Sequence, residues 1–283
     1  MVAGGARDRD LGRQEALRAA TIRDYGEQWT RYPAAEGYLH SAEAFADVLA
    51  PLLEPGDLRG TRVADLGSGT GRVVNLLLDA GAAHVIAVEP SAAFEVLRRN
   101  TAARADRVSY LQGPGESLPP GGDLDYVFAL GVLHHIPDPV PVVRAARAAL
   151  RPGGRFVAWL YAREGNGVYL ALARPARVVT RRLPHPLLAG LVRMVEPFLF
   201  MYMTASLRWP LPAHAYMRDV LSRLTPAERR LTLYDQLNPA YAKYYTRPEA
   251  LELMTSGGLA NVRIHHQHGY SWLIVAERPD AAA

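Results

Sequence analysis

Val63-Ala64-Asp65-Leu66-Gly67-Ser68-Gly69-Thr70-Gly71-Arg72 runs from an apolar stretch short enough for a buried strand, through a glycine loop, into a segment of helical periodicity. Glycines at such a junction permit a tight turn and let backbone N–H groups approach a ligand at a helix N-terminus. The spacing is G-x-G-x-G and not the G-x-G-x-x-G of dinucleotide binders, and Asp65 precedes the loop. A pyrophosphate fits poorly beside that carboxylate. A ligand with an ammonium group fits better, and Glu89, at the end of the next apolar run, is placed to accept both hydroxyls of a ribose.

Outward from this stretch the pattern alternates. Apolar runs at 62–66, 84–88, 108–111, 125–130 and 156–161 read as strands, and 72–80, 92–103 and 139–150 read as the helices between them. Strict alternation implies parallel strands with right-handed crossovers. Before it, 11–53 is helical, broken near Tyr32-Pro33. After Tyr161 the alternation stops, and a helix-prone, proline-punctuated segment runs to Tyr245. Thr225-Pro226-Ala227-Glu228 and Thr246-Arg247-Pro248-Glu249 are capping boxes that start new helices. Runs at 260–268 and 271–277 are joined too tightly for a crossover and form a hairpin.

The loop, Glu89, the Leu118-Pro119 turn, Leu133-His134-His135-Ile136-Pro137-Asp138-Pro139 and Leu150-Arg151-Pro152-Gly153-Gly154, all in this order, resemble the class I S-adenosylmethionine-dependent methyltransferases. The resemblance implies an α/β fold: a Rossmann-like, seven-stranded, mostly parallel sheet with helices on both faces, a C-terminal antiparallel hairpin and a helical lid inserted after the fifth strand. It implies four parts: 1–53 covering the cofactor, 54–162 binding it, 163–245 lidding the acceptor, and 246–283 completing the core. The implied cofactor is S-adenosyl-L-methionine, leaving as S-adenosyl-L-homocysteine. Carried over residue by residue, Asp65, Gly67, Ser68, Gly69 and Gly71 meet its methionine and ribose portions, Glu89 the ribose hydroxyls, and Pro90 the adenine, with Leu130 and Gly131 at the end of the fourth strand. The family's usual Asp before the Leu-Pro turn is Pro114 here, so either Glu116 or the backbone of Gly115 and Glu116 reads the base. Tyr25 and Trp29 resemble an aromatic pre-helix that screens the sulfonium, and equally suit plain packing.

For the chemistry, His134 is expected to face the acceptor as a base and His135 to pack near the cofactor, the alternative being that both are structural. The stretches Tyr234-Asp235-Gln236-Leu237-Asn238-Pro239-Ala240-Tyr241-Ala242-Lys243-Tyr244-Tyr245 and Gly269-Tyr270-Ser271-Trp272 resemble a glycan and secondary-metabolite branch, which implies Asp235, Tyr241 and Tyr245, together with Tyr161, as acceptor contacts; the tyrosines equally suit docking of the insertion onto the core. The expected reaction is O-methylation of a small-molecule, secondary-metabolite or glycan- or lipid-linked acceptor. A non-methylating cyclase or scaffold is the alternative, and an RNA methyltransferase ranks below both. No metal site is expected of His265, His266 and His268, which read as solvent-facing strand residues.

Composition narrows the rest. The 283 residues hold no cysteine, which excludes disulfide scaffolds, thiol nucleophiles and thiolate metal sites. With 32 basic and 28 acidic side chains the net charge is +4, weak grounds for a nucleic-acid partner, which is not expected. Lys243 is the one lysine, so the basic residues are arginines. Seven of them lie in 163–208 against two glutamates, beside the apolar run Pro197-Phe198-Leu199-Phe200-Met201-Tyr202-Met203. That stretch suits an anionic, apolar partner or peripheral contact with a membrane, and equally a lid with its own core. The longest apolar stretch falls short of the roughly 20 residues that span a bilayer, and a cytoplasmic protein is expected. Oligomeric state is left open.

Overall fold

The computed structural model describes residues 2–32, 37–180, 182–238 and 240–280, with side chains of the first helix described from residue 12. Pro33, Arg181 and Pro239 lie outside these residues. In chain order the elements are α1 (Val2–Arg31), α2 (Ala42–Leu49), β1 (Arg62–Leu66), α3 (Arg72–Asp79), β2 (His84–Glu89), α4 (Phe94–Asn100), β3 (Val108–Gln112), β4 (Leu124–Leu130), α5 (Val140–Ala149) and β5 (Leu150–Tyr161). The insertion holds α6 (Gly167–Thr180), α7 (His185–Ser206), α8 (His214–Asp219) and α9 (Pro226–Leu237). It is followed by α10 (Arg247–Ser256), β6 (Ala260–Gln267) and β7 (Ser271–Glu277).

The seven strands form one sheet in the order β3-β2-β1-β4-β5-β7-β6. β1 pairs in parallel with β2 (Leu66 opposite Val88) and with β4 (Ala64 opposite Val127). β7 runs antiparallel to both β5 and β6. The chain order reverses between β1 and β4, and in open α/β sheets ligands bind beyond the strand ends at such a point. This is the Rossmann-like fold that the alternation predicts.

Period-two alternation assigns the side chains of the strands to two cores. Ala64, Leu66, Val127 and Ala129 pack with Val142, Val143 and Ala146 of α5 and Ala250, Leu253 and Met254 of α10. Val63, Tyr126 and Phe128 pack on the other face with Phe45 and Leu49 of α2, Val74 and Leu77 of α3, and Leu97 of α4. Central strands covered on both faces have no polar side, which is why they read as unbroken apolar runs. The capping boxes form as the sequence predicts: Thr225 and Thr246 accept from the backbone N–H groups of Glu228 and Glu249, and each glutamate returns the bond to its cap residue's N–H.

Three local readings are corrected. The fifth strand does not begin at 156 but at Leu150, so the Arg151-Pro152-Gly153-Gly154 stretch lies within β5, where an added Cβ on Gly154 would come 2.8 Å from the carbonyl oxygens of Arg151 and Leu124. The histidines of β6 are not solvent-facing. His266 lies against Trp272 with ring centroids 4.4 Å apart, and His268 leaves the strand at φ 47° with its Nε2 2.8 Å from Asp47 Oδ2. Finally, the apolar run at 197–203 is not a short stretch by itself but part of α7, which continues through Pro197. The 22-residue helix is by length and composition long and apolar enough to cross a bilayer, and only 17% of its most apolar window is buried.

Candidate active site

The loop after β1 turns through positive φ at Gly67 (69°), Gly69 (53°) and Gly71 (84°), a region that costs other residues strain. Each glycine has a different neighbour. A Cβ on Gly67 would meet Val132 at 2.7 Å, and one on Gly69 would touch the Trp29 indole at 3.5 Å. A Cβ on Gly71 would press on Thr101 and Leu97, 2.9 and 3.0 Å away. Gly67, Ser68 and Gly69 line a chamber of about 920 Å³, whereas Gly71 does not. Gly71 caps α3 and lets it pack on α4, which corrects its assignment as a cofactor contact.

Two buried carboxylates flank the loop. Glu89 lines the chamber; its Oε2 accepts from the Gly69 N–H at 2.8 Å and its Oε1 from the Ser91 N–H at 2.9 Å. Asp65 does not itself line the chamber; it is buried behind the loop at 2% exposure, and its Oδ2 has no hydrogen-bond partner. Burial pushes its carboxyl up to about 7, with Ser68 and Arg72 opposing the rise. An orphaned acceptor and a second carboxylate make this end acidic, which fits an ammonium and a pair of hydroxyls. The N–H groups of Gly67 and Ser68 both donate to the Val88 carbonyl. They turn the chain and are not free to meet a ligand carboxylate.

Pro90, Ser91, Gly115, Glu116, Leu130 and Gly131 also line the chamber. Glu116 is ion-paired with Arg18 of α1, so α1 closes over the turn that holds Gly115 and Glu116. Tyr25 and Trp29 of α1 also line the chamber, their rings 6.5 Å apart and nearly parallel.

The structure places the two histidines otherwise than the sequence suggests: His135, not His134, lines the chamber. His134 is fully buried, lies off the chamber, and neither ring nitrogen has a partner; its ring packs 3.9 Å from that of Tyr161. Burial pushes it well below the usual histidine range, as befits a neutral packing residue. His135 lines the chamber. Its Nε2 is 2.7 Å from Tyr25 Oη and its Nδ1 is 2.9 Å from the Tyr241 carbonyl.

Beyond His135 the chamber wall is aromatic. Tyr161 donates to Asp235 Oδ2 at 3.3 Å, and Gln28 of α1 donates to Asp235 Oδ1 at 3.0 Å. Tyr244 stacks on Tyr161 at 5.0 Å, and Trp159, Tyr169, Tyr216 and Tyr270 complete the wall. Arg177 anchors it from behind, its Nη2 donating to Tyr169 and Tyr244 and its Nε to the Gln236 carbonyl. Of the expected acceptor contacts, Tyr161 and Asp235 reach the chamber. Tyr241 contributes its carbonyl, not its ring. Tyr245 is a core residue, 2% exposed, whose backbone bridges β5 and Trp272. Sequence reasoning missed Trp159, Tyr169, Tyr216 and Gln236. Trp159 reads as one more apolar strand residue, Tyr169 and Tyr216 belong to an insertion whose folding back is set by long-range contacts, and Gln236 carries no local signal.

Residues 64–158 match the family model described as a methyltransferase domain. The tRNA U34 carboxymethyltransferase of Chromohalobacter salexigens is 37% identical over 124 residues, 42% of this chain and 37% of that protein. The enzyme of the same name from Hahella chejuensis is 39% identical over 112 residues, 38% of this chain and 34% of that protein. The matched part is therefore little more than a third of these relatives. The crystal structure of an S-adenosylmethionine-dependent methyltransferase from Mesorhizobium loti superposes with a TM-score of 0.51 at 21% identity, covering 84% of this chain and 98% of that one. These relatives correct two expectations: O-methylation of a small-molecule or glycan-linked acceptor, and the exclusion of nucleic acid as a partner. The reason is physical. Glycine loop and Glu89 specify the donor, which is common to every acceptor class, and carry no information on what receives the group.

Proposed function

Because residues 64–158 form a class I S-adenosylmethionine-dependent methyltransferase domain, we propose that the chain methylates a base of RNA, with a tRNA uridine as the first candidate. The observation that carries this reading is the ring-walled end of the chamber. Trp159, Tyr161, Tyr216, Tyr244 and Tyr270 line it together, an aromatic surround that suits one extruded planar ring. Enzymes that act on a base take it out of the stack, and base–aromatic stacking contributes roughly 1–3 kcal/mol per base. The relatives of the same domain are named for a tRNA uridine, which supports RNA as the source of that ring. Exposed Arg163, Arg174, Arg182, Arg193 and Arg208 supply cations for phosphates.

When bound, the cofactor supplies a methyl group on a positively charged sulfur. Glu89 would hold its ribose, Asp65 from behind the lining would draw its ammonium, and Trp29 and Tyr25 would cover the loop. Alignment and exclusion of water by α1 and the insertion then account for most of the rate. In this reading 1–53 cover the donor, 54–162 bind it, 163–245 form the acceptor lid, 246–283 complete the sheet, and the protein works in the cytoplasm.

The test is incubation of the purified chain with methyl-labelled S-adenosylmethionine and tRNA from a strain lacking the gene, followed by nucleoside mass spectrometry. One labelled nucleoside is expected, absent when tRNA comes from the parent strain. Cofactor binding without label in any RNA overturns the reading.

A further inference from the structure

Tyr25, His135 and the Tyr241 carbonyl form a chain of hydrogen bonds across the chamber wall. A carbonyl only accepts, so the 2.9 Å contact from Tyr241 O requires the hydrogen of His135 to sit on Nδ1. The neutral ring then carries its lone pair on Nε2, and the 2.7 Å contact is Tyr25 Oη donating to it. The side chains of both residues line the chamber. Tyr25 is one helical turn from Trp29, whose indole lies over Gly69, so its hydroxyl stands where the donor end meets the acceptor end. Around His135 stand Tyr25 from α1, His134 from its own turn, Tyr161 from β5, Arg177 from α6 and Asp235 from α9. The Asp235 carboxylate favours a positive imidazole, and Arg177 opposes it.

We infer that Tyr25 and His135 act as one proton-accepting dyad, oriented by the Tyr241 carbonyl, for the acceptor of the proposed methyl transfer. The inference rests on that reading. As the acceptor atom is alkylated, its proton passes to Tyr25 Oη while Tyr25's own proton passes to His135 Nε2. Tyr25 ends with the O–H bond it began with, no phenolate forms, and the positive charge that the alkylated acceptor would carry comes to rest on the imidazolium between Tyr241 O and Asp235. The arrangement follows the logic of a base held in one tautomer by a third group. Neither Tyr25 nor His135 serves this chemistry alone: without Tyr25 the lone pair faces an empty gap, and without His135 the phenol has nowhere to send its proton.

Two measurements test it. Nitrogen NMR of the full chain labelled in histidine reads the tautomer with no acceptor present: His135 is expected as Nδ1–H, with the Nε2 signal moving in Tyr25→Phe. Turnover on tRNA from the deletion strain reads the chemistry. Tyr25→Phe and His135→Gln should each lower kcat at least 30-fold with KM for S-adenosylmethionine within threefold, and the double variant should be no slower than the slower single one. The wild-type rate should rise with pH through an imidazole ionisation below 6.5, and this limb should vanish in Tyr25→Phe. An Nε2–H tautomer, or Tyr25→Phe retaining more than a third of kcat, overturns the dyad. If the wild type labels no tRNA, the RNA reading falls, and the tautomer with its response to Tyr25→Phe decides the dyad.

Discussion

Asp65 shows how far one side chain carries an argument. Its position before the glycine loop marks it from the sequence, but its charge state depends on enclosure, which only the folded chain creates. Burial raises its carboxyl from 3.8 to about 7, so between these values the native protein holds a proton that the unfolded chain releases. Its contribution to stability is full below the unfolded value and is lost as pH rises through about 7. An ammonium ligand reverses the preference. Binding of S-adenosylhomocysteine at pH 6 is therefore expected to release up to about one proton, and at pH 8 almost none. Calorimetry in buffers of different ionisation enthalpy measures this directly. Asp65→Asn should abolish the release and weaken binding at pH 8 at least tenfold; unchanged proton release in that variant would remove Asp65 from the site. The histidines teach the opposite lesson. His134 and His135 are adjacent and alike in the sequence, and which one faces the chamber was fixed by the short helical turn at Leu133–His135 and by Tyr25, 110 residues away.

At the scale of elements, the strand–loop–helix unit was legible because its determinants are local. Strand runs are apolar because both faces are covered, and the loop needs glycine wherever φ is positive. Gly71 separates folding from binding within that unit. Gly71→Ala places a Cβ against Thr101 and Leu97 at a φ of 84°, and the expected loss is about 1–3 kcal/mol of stability. Chemical denaturation measures it, and the affinity for S-adenosylhomocysteine at a temperature where the variant is folded should stay within threefold. A large loss of affinity with unchanged stability would restore Gly71 to the cofactor contacts. The insertion was legible only as helices with capping boxes. That α9 brings Asp235 to Gln28 of α1, and that β5 and the segment after α9 stack Tyr161 on Tyr244, are meetings of residues far apart in the chain.

For the whole molecule, the conspicuous feature is the outer side of α6 and α7. Phe198 is 68% exposed, Met194 67%, Met201 62% and Val179 61%. Monomeric soluble proteins rarely expose so much contiguous apolar surface. The insertion keeps small cores of its own, Met203 with Met217, Leu221 and Leu224, and Leu188 with Val192 and Tyr234. These cores do not use the outer residues. Concentration-dependent self-association and strong binding of an apolar fluorescent dye are expected of the isolated chain, both reduced in a Met194→Ser, Phe198→Ser, Met201→Ser variant with cofactor affinity unchanged. Sedimentation velocity and dye titration check this, and a wild type that stays monomeric and dye-free would show the face to be covered. By itself the sequence determined the doubly wound sheet, the donor loop and the two carboxylates that flank it. Backbone conformation at glycine and the burial of strand runs are properties of short segments, so they can be read from short segments. Only the tertiary structure decided which histidine faces the chamber, which aromatic rings wall it, and how α1 closes on it. Those facts depend on side chains brought together across 110 and 207 residues of chain, and no local pattern encodes such a meeting.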